Sequence, residues 1–370
     1  MATLYIHIPF CRQICSYCDF YRIGAVDNVS HIPPILCQEM EQRSNYLVDR
    51  DITSIYFGGG TPSLLHPAQI EMIIDKAREL FNCSGVDEIT IEANPDDITE
   101  EYVSQLVKTS VNRVSLGVQS FDDDALRLMN RRHDGRQAER AVALLRGAGI
   151  RNISVDIIFG IDGYGGRALD DTLRRAIALD VEHISAYHLT IEPNTRLGLL
   201  ARRGEYTPVG EDVSEAEFAA VHKAFTEAGY EHYEVSNFAK RGYRAKHNSA
   251  YWRGVEYLGL GPGAHSFSGD NRRWCISTVK EYLAGIFRYD EEVLRASEHL
   301  NEYVMTSLRT AEGINLDHIA DCYGEAHSER IRRAAAAWLD SGTLVSEKAY
   351  LRIPPEHFLL SDAVIEALFV

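Results

Sequence analysis

Short apolar, β-rich runs recur through the first two thirds of the chain and predict strands at Leu4–Ile8, Ser54–Phe57, Glu88–Glu92, Arg113–Val118, Ile153–Phe159 and His183–Ile191. Helical patterns separate them at Pro67–Phe81, Thr99–Thr109, Arg136–Ala148 and Ala168–Leu179. Strands alternating with helices predict parallel βα units. Six units make an α/β fold built as an open, partial (β/α)6 barrel, with a flat doubly wound sheet as the competitor. Either arrangement collects its site at the C-terminal ends of the strands. Cys11, Gly58–Thr61, Glu92, Gln119 and Asp156 all fall at or just beyond such ends.

The pattern changes after about residue 205. Glu211–Gly229 reads as a helix, and Tyr230–Phe267 is rich in glycine and aromatic residues with few regular signals. From about residue 290 the chain turns helical and closes on Leu344–Val370, which predicts a small helical domain with a short hairpin, winged-helix-like in outline. The expected division is 1–205 for the barrel, 206–285 for an extension of it, and 286–370 for the C-terminal helical domain.

Composition narrows the classes. Of 370 residues, 45% are hydrophobic and 25% charged, which suits a globular chain with a large core. A formal net charge of −16 argues against nucleic acid or an anionic membrane as partner. No run approaches the roughly 20 apolar residues that span a bilayer. The start, MATLYIHIPFC, has no basic region or cleavage signal, so a cytoplasmic protein without a transmembrane segment is expected.

Seven cysteines in such a chain argue against a disulfide framework. Three of them form Cys11-Arg-Gln-Ile-Cys15-Ser-Tyr-Cys18. This spacing on a loop brings three thiolates to one metal centre, and thiolates are the usual ligands of iron–sulfur clusters. Three ligands on a four-iron cube leave one iron open to a small molecule with an amine and a carboxylate. Zinc is the alternative, with Asp19 or His7 as fourth ligand. Cys37, Cys83, Cys275 and Cys322 are scattered and read as core or surface residues.

The segment YIHIPFCRQICSYCDF resembles the radical S-adenosylmethionine (SAM) proteins related to oxygen-independent coproporphyrinogen III oxidase, and within them the heme-chaperone (HemW) branch. The resemblance continues in order through GGGTPS (58–63), IEANPDD (91–97), RVSLGVQSF (113–121), DIIFG (156–160), HLTIEPNT (188–195), YEVSNFAKRG (233–242), HNSAYW (247–252) and YLGLGPGAHSF (257–267). It implies a [4Fe–4S] cluster on Cys11, Cys15 and Cys18, with SAM at the open iron and reductive cleavage to a 5′-deoxyadenosyl radical. Gly58, Gly59 and Gly60 are then expected to meet the methionine amine, with Thr61 beside them and Glu92 on the ribose hydroxyls. Tyr5 and Tyr17 are expected to flank the cluster and SAM. Gln119, Arg131 and Asp156 match positions around the SAM pocket, and Arg131 is a candidate ion-pair partner for Asp156.

Two features separate the branches. The oxidase carries a fourth cysteine where this chain has Phe20, and a long extension before the position of Tyr5. Both point to the chaperone, which binds heme and passes it to acceptors such as respiratory hemoproteins. The alternatives are the oxidase itself, or a radical enzyme that opens the heme macrocycle. If SAM is cleaved, an electron donor such as flavodoxin or ferredoxin is implied. His247 is the candidate iron ligand, with Tyr251 and Trp252 stacking on the porphyrin; His265 is a second candidate that the resemblance sets near SAM. Two departures from the family pattern stand out: Ile161-Asp-Gly-Tyr-Gly-Gly lacks a proline, and Cys275 follows Trp274 where asparagine is common.

Overall fold

The computed structural model describes all 370 residues. Six strands, β1 (Ala2–Ile8), β2 (Ile52–Gly59), β3 (Glu88–Ala93), β4 (Arg113–Gln119), β5 (Asn152–Phe159) and β6 (His183–His188), lie side by side in chain order. Each pairs in parallel with the next. Sequential order means that every crossover steps the same way, as in a barrel, whereas a doubly wound sheet reverses direction at its centre. The sheet stays open, so the partial barrel is the arrangement formed.

The helices between these strands start where their caps dictate. Asp134 and Gln137 form a reciprocal capping box at the head of Gly135–Gly147, and the Thr99 side chain caps Glu100–Leu106. The sixth strand stops at His188, three residues short of the predicted end. There Leu189 N–H bonds the Phe159 carbonyl at 2.8 Å, and Thr195 turns the chain into a helix at Arg196–Arg202.

The region between residues 230 and 293 is more regular than its sequence suggests. It holds β7 (Glu231–Glu234), β8 (Asn237–Ala239), β9 (Glu256–Leu260), β10 (His265–Ser268), β11 (Asn271–Cys275) and β12 (Tyr289–Val293). β8 and β7 extend the sheet beyond β6, and β9 pairs in parallel with β1 and carries β10, β11 and β12 outward, giving twelve strands in all. The tail follows with the helix Ala296–Leu308, β13 (Ile314–Asn315), helices Leu316–Tyr323 and Glu325–Ala334, and a hairpin of β14 (Val345–Glu347) and β15 (Tyr350–Arg352). Helix, strand, two helices and a hairpin is the order of a winged helix. One apolar cluster of 69 buried residues runs from the sheet into this tail, from Leu4 and Ile91 to Leu351 and Leu368. No helix is long and apolar enough to cross a membrane.

Candidate functional site

The cysteine loop leaves β1 and returns by a bridge between Phe10 and Ile23. The Ser16 hydroxyl donates to the Leu128 carbonyl at 2.7 Å, and Gln13 and Asn130 exchange side-chain hydrogen bonds with each other's segment. These contacts fix three free thiols, Cys11, Cys15 and Cys18, on the wall of one cavity of about 560 Å³ over the strand ends. Burial pushes the Cys11 and Cys18 thiols up, so taking a metal there requires that each give up its proton. No three His, Cys, Asp or Glu side chains converge tightly enough to chelate one ion. A four-iron cube takes its thiolates on separate irons around a shared cavity, which three thiols on one wall allow.

The other walls come from successive strand ends. β2 runs into Gly59, whose N–H donates to Glu92 at 3.2 Å in a left-handed conformation, φ 106°. A Cβ on Gly60 would lie 2.7 Å from the Phe10 carbonyl oxygen, so only glycine lets the two loops approach this closely. The Tyr56 hydroxyl also donates to Glu92, at 2.7 Å. Burial pushes the Glu92 carboxyl up to about 7, and nearby Asp156 adds to the shift. Asp156 is raised by burial as well and is held by Ser115 at 3.2 Å. Gln119 closes β4 in a left-handed conformation, φ 65°, rare for a residue with a side chain.

Arg131 does not pair with Asp156, contrary to the sequence expectation. Its guanidinium bonds the Cys15 sulfur at 3.0 Å, and Asn94 and the Gly117 carbonyl at 2.6 Å each. Burial opposes its charge, but Tyr17, Cys15 and Asp96 outweigh burial and raise its pKa. Thr61 donates to Cys11 at 3.5 Å and accepts from Asn94 at 3.3 Å. Asn94 thus ties the thiol loop to the strand ends; it lies inside IEANPDD but was not singled out there. Ser115 and Glu192, inside RVSLGVQSF and HLTIEPNT, also line the cavity, as does Tyr187, which no quoted motif contains.

Two expected members are elsewhere. Gly58 is packed between Tyr5 and Tyr56, where a Cβ would lie 2.9–3.0 Å from their rings. Tyr5 faces a second, larger cavity of about 1580 Å³, bounded by β9–β11, the helix Lys246–Trp252 and the tail. The two cavities share Asp19 and Phe20, the residues directly after Cys18. Tyr251 and Trp252 line the large cavity, as does His265, which therefore lies away from the cysteine pocket.

His247 is a correction to the sequence expectation. It is 1% exposed, and both its ring nitrogens are engaged, one with Ser54 and one with Tyr251, each at 2.9 Å. Its ring stacks on Tyr56 at 4.9 Å between centroids. Burial, then Arg113, push its pKa down to about 3, so it is a neutral, fully partnered residue behind the cavity wall.

An open βα barrel with three free thiols, a glycine turn and a buried carboxylate around one pocket defines a radical SAM protein, and residues 5–176 match the Radical SAM superfamily. Membership implies a [4Fe–4S] cluster and SAM. The chain belongs to the HemW heme-chaperone family. It is 36% identical over 335 residues to heme chaperone HemW of Bacillus subtilis, covering 88% of each chain. It is 39% identical over 318 residues to heme chaperone HemW of Escherichia coli, covering 84% of this chain and 83% of the other. The solved coproporphyrinogen III oxidase (HemN) of Escherichia coli, at 21% identity, shares the fold over 100% of this chain and 90% of its own, with a TM-score of 0.84.

Proposed function

We propose that this chain is a heme chaperone of the cytoplasm that holds one heme in the large cavity and hands it to acceptor hemoproteins, respiratory ones among them. The observation that carries the reading is that cavity: about 1580 Å³, rich in aromatic side chains and adjoining the cysteine pocket through Asp19 and Phe20. It exceeds the roughly 300–1,000 Å³ of ordinary small-ligand sites. Tyr251, Trp252, Tyr257, Phe267 and Trp274 offer flat apolar surface to a macrocycle.

In the neighbouring pocket Cys11, Cys15 and Cys18 would hold three irons of the cluster, leaving the fourth to SAM, where one-electron reductive cleavage is the chemistry supplied. Glu92 would accept hydrogen bonds from ribose hydroxyls, and the turn Gly59–Thr61 would offer backbone to the methionine end. Arg131 orients Cys15 and neutralises part of the thiolate charge. Phe20, at the boundary of both cavities, lets the state of the cysteine loop bear on how heme is held. An electron donor of the flavodoxin or ferredoxin type is required only if SAM is cleaved.

Anaerobic heme titration of the cluster-reconstituted protein tests the reading. Saturation near one heme per chain is expected, without conversion of coproporphyrinogen III to a decarboxylated product in the presence of SAM and reductant. Absence of saturable heme binding, or formation of that product, would overturn it.

A further inference from the structure

Four histidines line the large cavity: His7, His265, His299 and His318. His7 is buried with both nitrogens engaged, by the Tyr5 hydroxyl at 3.1 Å and the Tyr21 carbonyl at 2.9 Å. His299 is half-buried, with its Nε2 3.0 Å from Asp270 but in no hydrogen bond, and His318 has one nitrogen 3.6 Å from the Cys322 sulfur. His265 alone is exposed with no side-chain hydrogen bond at either nitrogen.

The strand geometry aims it. His265 and Phe267 alternate on β10, and across the antiparallel ladder they face Trp274 and Arg272 of β11. All four line the cavity, so one face of this hairpin forms its wall. Trp274 stacks on the His265 ring at 5.7 Å and 18°, fixing the ring plane while leaving its edge open.

The cations sort in the same way. Arg244 pairs with Glu231 and Glu312, Lys246 with Asp87, and Arg272 with Glu302 and Glu292. Arg253, directly after Trp252 at the end of its helix, is exposed, lines the cavity and has no carboxylate partner. A metalloporphyrin presents an iron that takes imidazole, a flat aromatic face, and two propionates that take a guanidinium.

We propose that His265 is the axial ligand of the heme iron and that Arg253 anchors a propionate, with His247 positioning the cavity wall through Tyr251. This assignment rests on the heme-chaperone reading and gives that site its ligands. Burial, then Arg272, push the His265 pKa down, so its imidazole is neutral and carries a free lone pair at neutral pH.

The test is heme titration and ferric and ferrous absorption spectra of the full-length, cluster-reconstituted protein. Wild type is compared with His265→Ala, His247→Ala, His318→Ala and Arg253→Ala. His265→Ala is expected to weaken binding about tenfold or more, to lose the imidazole-ligated spectrum, and to regain it on addition of free imidazole. Arg253→Ala is expected to weaken binding about tenfold with the wild-type spectrum intact. An unchanged spectrum in His265→Ala, or loss of the ligand signature in His318→Ala or His247→Ala, overturns the assignment while leaving heme binding standing. Failure of wild type to bind heme at all removes the heme-chaperone reading and the assignment with it.

Discussion

Glu92 is a carboxylate folded into an interior that resists its charge. Its oxygens accept from Tyr56 and Gly59, yet burial keeps its pKa near 7, above its usual 4.5. The unfolded chain releases this proton from about pH 4.5 upward while the folded chain holds it to about 7. Over that window the unfolded state binds fewer protons, so folding stability falls as pH rises. The cofactor-free protein is therefore expected to lose up to roughly 3 kcal/mol through this one group between pH 5 and 8. Glu92→Gln should flatten that part of the profile in denaturant titrations at the two pH values. Equal pH dependence in variant and wild type would contradict the assignment. A charge so disfavoured is best accommodated by hydrogen-bond donors such as a ribose diol, the role the family resemblance gives this position.

Among elements, the helix Lys246–Trp252 shows how a short segment builds a wall of the large cavity. The buried Glu88 carboxylate accepts from the N–H groups of Lys246 and His247 at 2.9 and 3.0 Å, capping a helix of under two turns that has no cap of its own. Downstream, His247 clamps Tyr251, and Tyr251 and Trp252 reach the cavity. Glu88→Ala leaves one buried and one half-buried amide without an acceptor and should cost about 2 kcal/mol, read as a lower denaturant midpoint. It should also weaken heme binding, because Tyr251 loses its mooring. A variant with wild-type midpoint would show that the cap carries no weight. This helix was illegible as an element in the sequence: seven residues give too little periodicity, and its cap comes from β3, far away in the chain. The same holds for β7 to β11, strands of three to five residues whose partners are set by tertiary contact. The six core strands were legible because each is a long buried run between strong helical patterns.

Across the whole molecule, the cysteine triplet and the strand-end residues could be read in advance because chain order maps directly onto position around the barrel rim. Cys11, Gly59, Glu92, Gln119 and Asp156 meet at one cavity for that reason alone. The large cavity could not be read in this way. Its walls come from β1, from β9 to β11 and from the tail, and the sequence does not say which histidine faces inward. His247, the one the motif points to, is turned into the wall by Ser54 and Tyr251, while His265 stands free in the lining. Two adjoining cavities on one frame, one with thiols and one with aromatic walls and an unpartnered imidazole, would on the proposed reading make binding of SAM and of heme neighbouring events. The most direct test fills the second cavity and leaves the first alone. Thr306 lines the large cavity from the helix Ala296–Leu308 and is not part of the cysteine pocket. Anaerobic heme titration of cluster-reconstituted Thr306→Trp beside wild type should show near-stoichiometric, saturable heme binding in wild type and its loss in the variant, with cluster absorbance and SAM binding unchanged. Undiminished heme binding by the filled variant would contradict the account.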